Sequence, residues 1–178
     1  MKILLITLSA LFALSSFAKE KTKHREHGAH QHGAGTLGIA FDGLKAKLDF
    51  KIPSDSVVGF EYTPKTEKDK STKKTQLDKL ENRISEMVIF DSSLNCKITT
   101  DKIEVIKDEE ESKETHSEHS DTFAKFDISC EKSPAGTKII FNFQKVFPKI
   151  KDLDVQIIVG DIQKSVEAKK DGTTVELK

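Results

Sequence analysis

Two alternating runs meet at Asp42-Gly43, and they restrict this chain more than any other stretch. Before the pair, Thr36-Leu37-Gly38-Ile39-Ala40-Phe41 alternates small or polar residues with apolar ones. After it, Leu44, Ala46, Leu48, Phe50 and Ile52 share one parity, and Lys45, Lys47, Asp49 and Lys51 share the other. Side chains alternate across a strand, so this period spells two half-buried strands. Asp-Gly tolerates the positive φ of a tight hairpin turn. A β-hairpin that ends at Pro53 is therefore expected.

The same pattern recurs downstream. Val57-Val58-Gly59-Phe60-Glu61-Tyr62 is a short apolar patch before Pro64. Thr66 is a suitable N-cap, with acids in the turn that follows. Leu77, Leu80, Ile84, Met87 and Val88 then give helical spacing on one face, whereas residues 67–76 carry no large apolar side chain and are expected to be solvated. Leu94 to Lys107 reads as a strand whose apolar parity changes between Ile98 and Ile103, which predicts a bulge. Phe123 to Cys130 reads as its partner. Pairing positions that sum to about 226 would set Cys96 opposite Cys130. Gly136 to Phe143 is a further strand, and Val146-Phe147-Pro148 turns or caps a short helix. Leu153 to Val159, Ile162 to Ala168 and Thr173 to Leu177 follow, separated by Gly160-Asp161 and Asp171-Gly172, and the last is expected to close the sheet. The fold class expected is α+β: a mainly antiparallel sheet of hairpins and meanders with one amphipathic helix packed on it.

Lys2 precedes an apolar run from Ile3 to Leu14, and small residues Ser16 and Ala18 precede Lys19. Residues 1–18 are thus expected to be a cleaved signal peptide, which places the mature chain in the periplasm. The apolar run is short for a membrane span, so no membrane association is expected after cleavage. The 178 residues carry 29 Lys and Arg against 29 Asp and Glu. Acids interleave with the lysines, leaving no basic stripe for nucleic acid. Cys96 and Cys130 form an even pair, which favours a disulfide in an exported chain; two thiolate zinc ligands are the rival reading.

His24, His27, His30 and His32 put four of the six histidines within nine positions. Zinc takes imidazole, thiolate and carboxylate donors in a tetrahedron. A coiled segment brings His24, His27 and His30 near one face, and an extended one brings His30 and His32 to the same side. Glu26 adds an oxygen donor. The segment feeds directly into the first strand, so a bound ion is expected at one end of a sheet. Residues 19–35 are read as a histidine-rich metal-binding segment, and residues 36–178 as one antiparallel α+β domain. That domain carries an acidic loop at 108–121, with seven acids, one lysine and the pair His116 and His119. Such a loop repels itself and attracts cations.

HREHGAHQHG running into a strand, PSDSVVGFEYTP, FQKVFPKIKDLDVQII and the order of elements between them resemble the ZrgA-like periplasmic zinc-binding proteins. The resemblance spans essentially the whole mature chain. It implies zinc acquisition alongside a periplasmic zinc uptake system. It also implies His24, His27, His30 and His32 as ligands, with His116 and His119 at the hairpin tip. Two positions depart from the family pattern: the tip holds two histidines among acids, and Tyr62 stands where relatives commonly carry histidine. Cu2+ and Ni2+ are expected competitors for the site. The rival function is an exported structural or protein-interaction module whose histidines are incidental. No HExxH, Gly-x-Ser-x-Gly or phosphate loop is present, and an enzyme is not expected.

Overall fold

The computed structural model describes residues 32–107 and 118–178. The expected signal peptide, Glu26, His24, His27, His30 and His116 lie outside the described residues. The hairpin forms as its alternation predicts. Strand β1 (Ala34–Asp42) pairs antiparallel with β2 (Lys45–Pro53), and Gly43 takes a φ of 61° in the turn. Ala46, Leu48, Phe50 and Ile52 are buried. Leu44 is not: it belongs to the turn and stays exposed.

Helix α1 (Ser54–Val57) is a single turn directly after Pro53. Helix α2 (Glu67–Met87) starts where its cap predicts, with the Thr66 hydroxyl accepting from the Asp69 N–H. Leu80, Ile84 and Met87 bury its C-terminal half against the sheet, while most of the first turns remain in solvent. The Lys79 ammonium donates to the Val146 carbonyl and sits over the Phe147 ring, which fastens the helix to the 142–151 loop. In that loop Val146 and Phe147 occupy turns with buried side chains.

After β3 (Val88–Phe90) comes β4 (Lys97–Lys107), which pairs with β5 (Ser120–Ser129). Lys97↔Ser129 to Thr100↔Phe126 keep the predicted sum of 226, and the register shifts between Thr100 and Lys102. Cys96 and Cys130 lie one step beyond that ladder and form a disulfide. Strands β6 (Lys138–Phe141), β7 (Asp152–Val159), β8 (Ile162–Ala168) and β9 (Thr173–Glu176) complete the fold. The main sheet has the order β4-β5-β2-β1-β7-β8, and β3-β6-β9 form a second, three-stranded sheet.

Two features differ from a simple meander. β7 runs parallel to β1, because the 142–151 loop returns the chain to the end of the sheet where β1 begins. β9 pairs with β6 rather than closing the main sheet. The Gly172 N–H donates to the Phe141 carbonyl and the Asn142 side chain, so the preceding turn is bonded to β6 and steers β9 there.

The register puts the start of β1, the end of β2, the start of β5 and the start of β7 at one end of the sheet: Thr36 faces Lys51, Pro53 faces Asp121, and Ala34 faces Asp152. Gly33 anchors the approach to β1. Its carbonyl accepts from the N–H groups of Lys151 and Asp152, at 2.7 and 3.0 Å. Its φ is 83°, and an added Cβ would lie 2.8 Å from the Lys149 carbonyl oxygen.

Two stability predictions follow from this frame. The disulfide closes a sequence separation of 34 residues. Replacing both cysteines by alanine should lower the unfolding free energy by about 3–4 kcal/mol in the chain-entropy account, read by urea titration under non-reducing conditions. Gly33→Ala should lose about 1–3 kcal/mol in the same titration, from the strained backbone alone. An unchanged midpoint in either variant would contradict the corresponding argument.

Candidate metal centre

Four side chains converge at this end of the sheet, each placed by the end of an element. His32 lies two residues before β1. Asp55 sits in α1, two residues after β2. Glu61 follows the turn at Gly59, where a φ of 99° folds the chain back beside the sheet. His119 lies one residue before β5.

The His32 Nδ1 lies 3.1 Å from Asp55 Oδ1 and 3.4 Å from Glu61 Oε1. On the other side, His119 Nδ1 is 2.7 Å from Glu61 Oε2. The two imidazole rings are 6.4 Å apart between centroids. Ligand atoms of His32, Asp55 and Glu61 all lie within 4.8 Å of one another. Zinc bonds to nitrogen and oxygen of about 2.0–2.2 Å imply tetrahedral ligand separations of about 3.3–3.6 Å. The two measured contacts of His32 lie close to that range, so this donor set fits a small divalent cation.

Burial sharpens the fit. The Glu61 side chain is 7% exposed, against 59% for His32. Glu61 Oε1 is buried and accepts no hydrogen bond among the described residues. A buried carboxylate oxygen left in this state is unfavourable unless a cation or donor meets it. Asp55, a second carboxylate, stands beside it. The Lys149 ammonium lies 3.9 Å from Asp55 Oδ2.

Below these groups lies a floor of buried hydroxyls. Ser120 donates to the Glu61 carbonyl at 2.8 Å, and Thr122 donates to Ser54 at 3.1 Å. The Ser56 hydroxyl accepts from the Gly33 N–H and donates to Asp55 Oδ1. Glu118 adds a clip, accepting from the Thr63 N–H at 2.6 Å, and so holds the residues before β5 against the Glu61 segment. That N–H keeps the Glu118 carboxyl below the ordinary carboxylate range. Because the folded carboxyl is depressed, the clip contributes stability above the unfolded carboxylate pKa and loses it as pH falls through the folded value.

Of the six histidines the sequence singles out, the structure brings together His32 and His119, one from each cluster. His24, His27, His30 and His116 lie outside the described residues. Sequence reading did not single out Asp55 and Glu61, which the structure sets beside His32. The available signal was a carboxylate stranded in the apolar run Val57-Val58-Gly59-Phe60-Glu61, and an aspartate between serines directly after a strand-ending proline. Tyr62 turns elsewhere: it stacks on Phe60, and its hydroxyl reaches Asp69.

No curated protein matches the chain. A family model described as ZrgA family zinc uptake protein matches residues 29–177. That span takes in His32, Asp55, Glu61 and His119 and runs through every strand to β9. The chain therefore belongs to the ZrgA family of zinc uptake proteins.

Proposed function

We propose that this chain is an exported, non-enzymatic protein that captures and buffers zinc in the periplasm and supports a zinc uptake system there. The observation that carries the reading is Glu61 Oε1, buried without a hydrogen bond among the described residues and facing His32 and Asp55. Family membership supports zinc as the cargo. His32, Asp55 and Glu61 are the ligands of the folded site. His119 holds the second oxygen of Glu61, as the hydrogen-bonding partner of a ligating carboxylate commonly does.

The chemistry favours a divalent borderline ion. Imidazole and carboxylate suit zinc, whereas the cysteines are consumed in the disulfide and offer no thiolate for Cu(I). Cu2+ and Ni2+ remain competitors, because affinity order alone does not favour zinc over copper. Protons compete with the ion for the imidazoles, so binding weakens in acid.

The other predicted ligands are tethered close by. His30 is two residues from His32, and His116 is three from His119. His24, His27, His30 and His116 serve as auxiliary capture groups around an anchored site.

The test separates the anchored site from the auxiliary groups. In the full chain with His24, His27, His30 and His116 changed to alanine, native mass spectrometry should still show one tightly held zinc. Adding Glu61→Gln or His32→Ala should weaken that zinc by more than the roughly 10–100-fold expected for groups that only orient ligands. If the four-alanine chain holds no zinc at micromolar metal, the folded site is not the anchor. If the natural chain also holds none, the protein is an exported interaction module instead.

A further inference from the structure

The geometry points to Ser56 as the positioning residue of the zinc site, a hydroxyl that sets His32 and Asp55 against each other before the ion arrives. This rests on the zinc reading above. Ser56 is 3% exposed and lies in α1 between Asp55 and the core residue Val57. Its Oγ is 3.2 Å from the Gly33 N–H and 3.2 Å from Asp55 Oδ1. The same Oδ1 is the atom 3.1 Å from His32 Nδ1. A ring therefore closes from His32 along the chain to Gly33, across to Ser56, on to Asp55 and back to His32. It joins two segments 23 residues apart.

The polarity of that ring is forced. A backbone N–H can only donate, and an ionised carboxylate can only accept. A serine hydroxyl has one proton and two lone pairs. It must therefore accept from Gly33 and spend its proton on Asp55. Gly33 cannot drift, because its carbonyl is held by the N–H groups of Lys151 and Asp152. The hydroxyl thus transmits the position of a fixed backbone to the plane of a ligand carboxylate. Asp55 Oδ1 keeps a lone pair for the ion while losing rotational freedom. Partners of this kind commonly change metal affinity 10–100-fold when removed.

The experiment uses the full chain with His24, His27, His30 and His116 changed to alanine as parent. Ser56→Ala, Ser56→Thr and Glu61→Gln are added singly. Zinc affinity is measured by competition with a chromophoric chelator, and visible absorption is recorded with saturating Co2+. Ser56→Ala should weaken zinc roughly tenfold, and Ser56→Thr, which keeps the hydroxyl, should stay within about threefold of the parent. The cobalt bands of Ser56→Ala should shift, because the bound geometry changes. A role in folding alone would leave the spectrum of the saturated form as it is in the parent. Equal zinc affinity in Ser56→Ala and the parent, with the ion lost in Glu61→Gln, would overturn the positioning role and leave the site standing. Equal weakening by alanine and threonine would also overturn it, since shape rather than the hydroxyl would then matter. Zinc binding unaffected by Glu61→Gln would remove the site and this role together.

Discussion

The register of three strands decides where His32, Asp55 and His119 stand. In an antiparallel ladder, a slip of one residue turns each side chain to the opposite face. Here three apolar rows cross β1, β2 and β5: Leu37 with Phe50 and Ala124, Ile39 with Leu48 and Phe126, and Phe41 with Ala46 and Ile128. All are buried, so any slip would expose them together. The rows fix the strand ends, and His32, Asp55 and His119 hang one or two residues beyond those ends. A slip would also move a ligand by about 3.3 Å, more than the length of a metal–ligand bond. Core packing thus carries the precision of the site.

That placement has an electrostatic consequence. The end of an apolar sheet is a poor environment for charge, yet Glu61 is set there with Asp55 beside it. Hydroxyls and backbone groups satisfy most of the polar atoms nearby, and Ser120 engages the Glu61 carbonyl. They do not reach Glu61 Oε1. The neighbouring ammonium of Lys149 belongs to a long, exposed side chain and approaches only the far oxygen of Asp55. A small divalent ion between the carboxylates and His32 meets the remaining demand better than a lysine can, because it contacts several oxygens at about 2 Å.

Much of the frame was legible because its causes are local. Alternation around Asp42-Gly43 predicted β1 and β2, the parity change after Ile98 predicted the β4 bulge, and symmetry about the acidic loop set Cys96 against Cys130. Thr66 marked the start of α2. Non-local choices were less visible. Nothing in Leu153 to Val159 records that β1 lies on its other side from β8, since parallel pairing leaves no turn signal. The departure of β9 depends on bonds from its turn to Phe141 and Asn142, which sequence spacing does not encode. Histidine clusters drew attention to His32 and His119, because histidine is scarce in this chain. Asp55 and Glu61 were hidden among 29 acids. Only folding distinguishes a buried carboxylate from a solvated one.

The division of labour between core and site bears on the proposed capture of zinc. In small zinc-dependent folds, metal binding supplies the folding free energy, and removal of the ion unfolds the chain. This chain has another source of stability. One continuous core joins both sheets and α2, and the disulfide ties β4 to β5 at their far end. From Ser120 to Ser129, β5 spans about 30 Å, so that link and the metal centre act at opposite ends of the same strand. His32, the most exposed of the four groups, faces solvent over a floor that the fold already holds. On the proposed zinc reading, an ion would enter and leave past it without dismantling the core. Such an arrangement suits capture and release, where a site that also stabilised the fold would hold its cargo too firmly to pass it on.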